Sequence, residues 1–242
     1  MLRDMRTRFG RSHFGYIMAI LWPFSHLVIM ASSMAYARRF VPTGGDPIVN
    51  AVTGILPYIL CLYPARMMGQ AIELNRALLF FPVVRAIDIM ISRALIEMFT
   101  ASIVVILLFF LAFLLDVDLI PVNIYAFVSG IIATIFLAIS IGFFSNIAKS
   151  VFKMWQIVFI LSVIVMYLTS GVVWNISLMP REMQVIVSYN PLFQSVEWLR
   201  SAYYEDSYSE FLSETYLIMV SAVIFLLGLL GERFLRGKLL SS

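Results

Sequence analysis

Apolar residues in this chain fall in long unbroken runs, not in alternation with polar ones. Six runs approach or exceed the roughly 20 residues that a helix needs to cross a bilayer. They are Tyr16–Tyr36, Ile48–Ile72, Ala94–Leu115, Pro121–Ala148, Met154–Val173 and Thr215–Gly231. The first and fourth carry no charge, the third only Glu97, and the second only Arg66, near its end. A transmembrane barrel would show period-2 alternation in blocks of about ten residues, so these runs predict helices. Pro23, Pro57 and Pro64 each remove a backbone donor and predict bends that packing in a membrane tolerates.

The charges between the runs sort by sign. Placing the N-terminus in the cytoplasm gives inside flanks with 13 Lys and Arg, including Arg3, Arg6, Arg8, Arg11, Arg66, Arg76, Arg85, Arg93, Lys149, Lys153, Arg233, Arg236 and Lys238. Outside flanks hold four, Arg38, Arg39, Arg181 and Arg200. The positive-inside rule selects this orientation, and an even number of spans puts both termini inside. No cleavable signal peptide is evident, so the first span is expected to be retained. No repeat, linker or soluble module interrupts the chain, and residues 1–242 read as one membrane domain.

Composition agrees. Of 242 residues, 62% are hydrophobic and 13% charged, and mean hydropathy is +0.95. A soluble domain carries about 25% charged residues, so a soluble fold is excluded, as is a disordered chain. Cys61 is alone, which excludes a disulfide scaffold. The net charge of +3 is too small to point to nucleic acid.

Three segments are not simple spans. Residues 1–15, MLRDMRTRFGRSHFG, mix Arg3, Arg6 and Arg8 with Leu2, Met5 and Phe9, a pattern that suits a helix lying in the headgroup region. Residues 73–93 join the second and third spans in the cytoplasm. Pro82 disfavours helix at Phe81, so two short pieces are expected there. Leu78, Leu79, Phe80, Phe81 and Val83 beside Arg76, Arg85 and Asp88 are too apolar for a free loop, and imply docking on membrane or on another protein. Residues 174–214 lie outside. There Met183–Tyr189 and Leu192–Tyr204 flank Asn190-Pro191, a turn signal, and predict a short re-entrant hairpin. Trp174, Tyr189 and Trp198 suit an interface.

Chemistry is sparse. His13 and His26 have no metal-site partners, and no nucleophile elbow appears. A phosphate-binding loop needs G-x-x-x-x-G-K-[ST]. Gly231 to Gly237-Lys238 has one residue too many and ends in Leu239. The chain is therefore expected to be no enzyme and to hold no cofactor of its own. Intramembrane charge, the usual mark of an ion path, is limited to Arg66 and Glu97 near the cytoplasmic ends.

Arg6–Tyr16, RTRFGRSHFGY, followed by Ala19-Ile20-Leu21-Trp22-Pro23, resembles the N-terminal signature of polysaccharide-export ABC transporter permeases, and most closely the capsular polysaccharide exporters of Gram-negative bacteria. Ala71-Ile72-Glu73 with Asn75, Val84-Arg85-Ala86-Ile87-Asp88 and Arg93-Ala94-Leu95-Ile96-Glu97 resemble that family's cytoplasmic loop. Asn190-Pro191-Leu192, with Glu197 and Arg200, resembles its outer hairpin. The family often has Lys-Pro where Arg85-Ala86 stands and Glu-Pro where Trp22-Pro23 stands.

The resemblance implies an all-α inner-membrane permease with six transmembrane helices, an interfacial helix at 1–15 and a re-entrant hairpin between helices 5 and 6. It implies a channel at the interface with a second copy of the chain. Two separate ATPase subunits would bind ATP and Mg, the substrate would be a lipid-linked capsular polysaccharide, and periplasmic or outer-membrane export proteins would receive it. Coupling to the ATPase falls on Asn75, Arg76, Phe80, Phe81, Pro82, Arg85 and Asp88. The entrance falls on Arg6, Arg8, Phe9 and Arg11, where arginine could meet lipid phosphate. Aromatic residues that could line the path are Tyr16, Trp22, Tyr167, Trp174, Tyr189 and Trp198. Alternatives are an exporter of O-antigen, teichoic acid or drugs, an uncoupled channel or secondary carrier, and a membrane enzyme acting on lipid-linked sugar.

Overall fold

The computed structural model describes residues 14–38, 46–81, 83–172, 179–204 and 210–241. The segment expected to form an interfacial helix, with Arg6, Arg8, Phe9 and Arg11, lies outside them, as do Pro82 and Trp174. Among the described residues every regular element is helical. They are α1 (Phe14–Arg38), α2 (Pro47–Met68), α3 (Ala71–Leu74), a 3₁₀ turn (Arg76–Phe80), α4 (Ala86–Leu114), α5 (Ile124–Val151), α6 (Trp155–Leu168), α7 (Arg181–Ser188), α8 (Pro191–Ser201) and α9 (Glu214–Ser241).

Five helices, α1, α2, α4, α5 and α9, are long and apolar enough to cross a membrane. The run expected as the fifth span instead forms α6, of 14 residues. At 1.5 Å per residue it is about 21 Å long, short of the roughly 30 Å hydrocarbon core. Its continuation, Ser170–Val172, is buried but not helical. Gly171 there has φ 75°, a left-handed turn that favours glycine.

The bundle is built around α2 and α5. Helix α5 packs along α9 and α2, and α1 lies along α2. Almost every residue of α2 from Val49 to Leu60 is buried, with Tyr58 and Asn50 partly so. This explains why Pro57 and Pro64 are tolerated: α2 continues through both, and neighbouring helices rather than water surround the carbonyls they leave without a helical donor. The approach of α2 to α5 is close at Gly142, where a Cβ would stand 2.4 Å from the Met68 Cβ. Only glycine fits there.

Helix α4 starts at Ala86, eight residues before the predicted span. The Asp88 carboxylate accepts the Arg85 N–H at 2.9 Å and satisfies a donor that the helix start would leave open. Ala86 and Met90 are buried with Met68, Ile72, Phe143 and Ile147, so the extension has a packing face.

Two short helices, α7 and α8, stand on either side of Asn190-Pro191. Asn190 accepts the Leu192 N–H at 2.9 Å and Pro191 takes the first helical position, which lacks a helical acceptor anyway. Leu192 to Leu199 are all buried, wedged against α2 and α5.

Candidate functional site

The segment between α2 and α4 turns out to be a mounted surface. An unbroken helix would pair the Ile72 N–H with the Met68 carbonyl. Here the helix breaks at Gly69, and both groups go instead to one buried side chain on α5. The Asn146 Oδ1 accepts from Ile72 N at 3.2 Å, and its Nδ2 donates to the Met68 carbonyl and, at 3.0 Å, to Gly142 O. One turn further along α5, Lys149 pairs with Glu73. Residues three apart share a helix face, so both grips come from the same face of α5. Asn75 closes α3 by donating from Nδ2 to Ala71 O at 3.0 Å.

Beyond Asn75 the apolar side chains divide. Leu79 packs against the Met68–Phe143 cluster. Phe80, Phe81 and Val83 face outward, 84%, 55% and 89% exposed. Phe81 is extended (φ −86°, ψ 124°), as expected of a residue before proline. Arg76 and Arg85 are exposed on the same segment, so the surface combines aromatic anchors with cationic groups. Asp88 is exposed too, although its carboxylate already serves the start of α4.

Asn146 belongs to no motif in the sequence, and the one signal it gives there is an amide inside an otherwise apolar run. Asn146→Leu should leave the Ile72 N–H and Met68 carbonyl unpaired in an apolar site. At about 1–3 kcal/mol for such a loss, a clear fall in thermal stability in detergent is expected. An unchanged unfolding midpoint would show that the break needs no bridge.

At the other end of the bundle, polar side chains lock the hairpin. Asn190 donates to Met166 O and to Thr169 Oγ1, both at 2.8 Å, tying it to the end of α6. Gln194 donates to Ser188 O (2.7 Å) and Phe211 O (2.9 Å) and accepts from Ser213 N (2.7 Å), joining α7, α8 and the approach to α9. Arg200 donates to Glu197 at 2.8 Å and to Gly171 O at 3.0 Å, all three largely buried. Tyr203 donates to Leu119 O at 3.0 Å, and burial pushes its phenol above the ordinary value, keeping it a neutral donor.

The expected path aromatics are not brought together. Trp22 on α1 and Tyr189 after α7 are 71% and 67% exposed. Tyr167 packs against Tyr58 with ring centroids 4.4 Å apart and planes tilted by 42°. Trp198 is buried, its ring 3.5 Å from where a Gly130 Cβ would stand. Tyr16 lies in α1, with its side chain outside the described set.

Comparison with known proteins gives a consistent picture. The sequence profile of the family described as ABC-2 type transporter matches residues 3–204. The polysialic acid transport protein KpsM of Escherichia coli is 29% identical over 242 residues, covering 100% of this chain and 93% of the relative. The capsule polysaccharide export inner-membrane protein CtrC of Neisseria meningitidis serogroup A is 24% identical, covering 98% and 90%. The protein of the same description from Haemophilus influenzae, BexB, is 23% identical over the same shares.

Proposed function

Because the chain belongs to the ABC-2 type transporter family, we propose that it is the transmembrane subunit of an ATP-driven exporter of capsular polysaccharide in a bacterial inner membrane. Relatives named as polysialic acid transport and capsule polysaccharide export proteins match it from end to end. In this reading two copies form the channel for a lipid-linked polymer, and two ATPase subunits bind ATP and Mg beneath them. Further export proteins take the polymer onward on the periplasmic side.

The observation that carries the reading is the segment Asn75–Asp88. It presents Phe80, Phe81 and Val83 outward from a base held by Asn146 and Lys149. Aromatic and Arg residues are the usual anchors of an interface. A firm base turns a push on the anchors into a displacement of α2 and α4 instead of a local flexing of loop. Placing this end in the cytoplasm follows the positive-inside rule and puts both termini there. Helix α6 then crosses together with the buried turn Ser170–Val172. The N-terminal arginines Arg6, Arg8 and Arg11 are assigned to the membrane surface beside the same contact. Trp22 and Tyr189 supply exposed rings for sugar along the path.

The test is a pull-down from mildly solubilised membranes followed by an ATPase assay. An ATPase subunit recovered in equal ratio with this chain supports the exporter. Recovery of the chain alone, with no ATPase activity, would return the carrier and enzyme readings to the front.

A further inference from the structure

A cavity of about 490 Å³ lies between α1, α2 and α4, at the end of the bundle that carries the Asn75–Asp88 segment. Its volume is within the ordinary range of small-molecule sites. Its wall is graded. Helix α2 runs toward the coupling segment and α4 runs away from it, so Gln70 and Arg93 mark one end and Ile59 and Val104 the other. Eleven residues of α4 separate Arg93 from Val104, about 16 Å, which is one leaflet of a roughly 30 Å hydrocarbon core.

Among the described residues the charged ones of the lining, Arg66, Arg93 and Glu97, stand toward the first end. Arg93 and Glu97 pair on successive turns of α4, both buried, and neutralise each other. Arg66 is exposed and forms no ion pair among the described residues, so its guanidinium is open to an anionic ligand. Gln70 beside it adds an amide donor. Moving inward, the lining passes through Tyr63 and Thr100 to Leu60, Ile59 and Val104. A polar metabolite would waste the apolar half, and an uncharged hydrocarbon would leave the arginine unused. The gradient fits an amphiphile with an anionic head at the cytoplasmic surface and its chain pointing into the membrane.

We propose that this cavity binds the phosphate headgroup and upper chain of an anionic lipid from the cytoplasmic leaflet, with Arg66 as the phosphate contact. Arginine suits this role, since its planar fork donates two bonds to one phosphate. The assignment rests on the transporter reading only for the orientation of the bundle. The lipid could be a resident phospholipid or the anchor of the exported polymer; the headgroup chemistry is the same.

The experiment uses the full chain alone in mixed micelles and counts retained lipid by native mass spectrometry, with dioleoylphosphatidylglycerol and dioleoylphosphatidylcholine as probes. The wild type should retain phosphatidylglycerol preferentially. Arg66→Gln should weaken that retention about tenfold, the loss of one charge-assisted contact. Arg66→Lys should keep most of it. Thr100→Trp, which fills the cavity without touching the charge, should weaken it as well. Equal retention of the two lipids, or no change in Arg66→Gln, would overturn the proposal. Extracting lipid from chain purified with and without polymer synthesis then separates the sources. A phospholipid retained in both identifies a resident lipid, and a glycolipid retained only with synthesis identifies the anchor. No ATPase takes part, so failure here leaves the pull-down result standing, and failure of the pull-down leaves this one readable.

Discussion

Phe81→Asp should abolish co-purification of the ATPase while leaving the chain inserted and folded. Phe81 stands 55% exposed on a turn whose fixed points, Leu79, Asn146 and Lys149, lie elsewhere. Substitutions at such exposed positions usually change stability by less than about 0.5 kcal/mol. At an interface the same residue has the profile of an anchor, and truncating one commonly costs 2 kcal/mol or more. Aspartate adds the cost of burying an unpaired charge. A loss of about a hundredfold in affinity, equivalent to about 2.7 kcal/mol, is the least expected. Leu79→Asp is the informative contrast. Leu79 faces the Met68–Phe143 cluster, so that change should lower the amount of folded protein as well as the ATPase. Normal complex yield in Phe81→Asp would remove the coupling role from this surface.

The second large effect belongs to the hairpin. Arg200→Met keeps side-chain bulk but strands the Glu197 carboxylate, which is only 11% exposed, and takes the donor from the Gly171 carbonyl. Removing one partner of a buried pair typically costs about 3–5 kcal/mol. The double variant Glu197→Met with Arg200→Met should recover most of this, since a buried pair can often be replaced by apolar groups of like volume. It should still fall short of the wild type, by about 1–3 kcal/mol, because Gly171 O remains unpaired. Unfolding midpoints of the purified chain in detergent read both steps. A single variant as stable as the wild type would mean that the carboxylate finds another partner, and the hairpin would then not depend on this lock. The position matters because Gly171 sits in the left-handed turn that follows the short α6. Arg200 therefore holds that turn to the buried α8.

Much of this architecture was legible along the chain. Five of the six apolar runs are helices long enough to span, and the Asn190-Pro191 turn and the broken segment around Phe81 stand where composition and proline placed them. These features depend on local quantities: the cost of burying backbone polar groups in lipid, summed over about 20 residues, and the φ restriction of proline. A sum over a window does not report where a helix stops, which is why the run Met154–Val173 yielded only the 14 residues of α6.

The direction and pairing of single side chains depended on the tertiary structure. Leu-Leu-Phe-Phe reads as one apolar patch, yet Leu79 turns inward and Phe80 and Phe81 outward: consecutive residues of a 3₁₀ turn point about 120° apart, and Phe81 lies past its end in extended backbone. Asn146 looks like an isolated amide until the chain brings it to Ile72, 74 residues away. Arg66 reads as one more cytoplasmic flank charge until α1 and α4 close a cavity around it. Hydropathy determined which segments enter the membrane because that choice is set by each segment's own transfer energy. Which polar groups meet inside was decided by packing among helices distant in sequence.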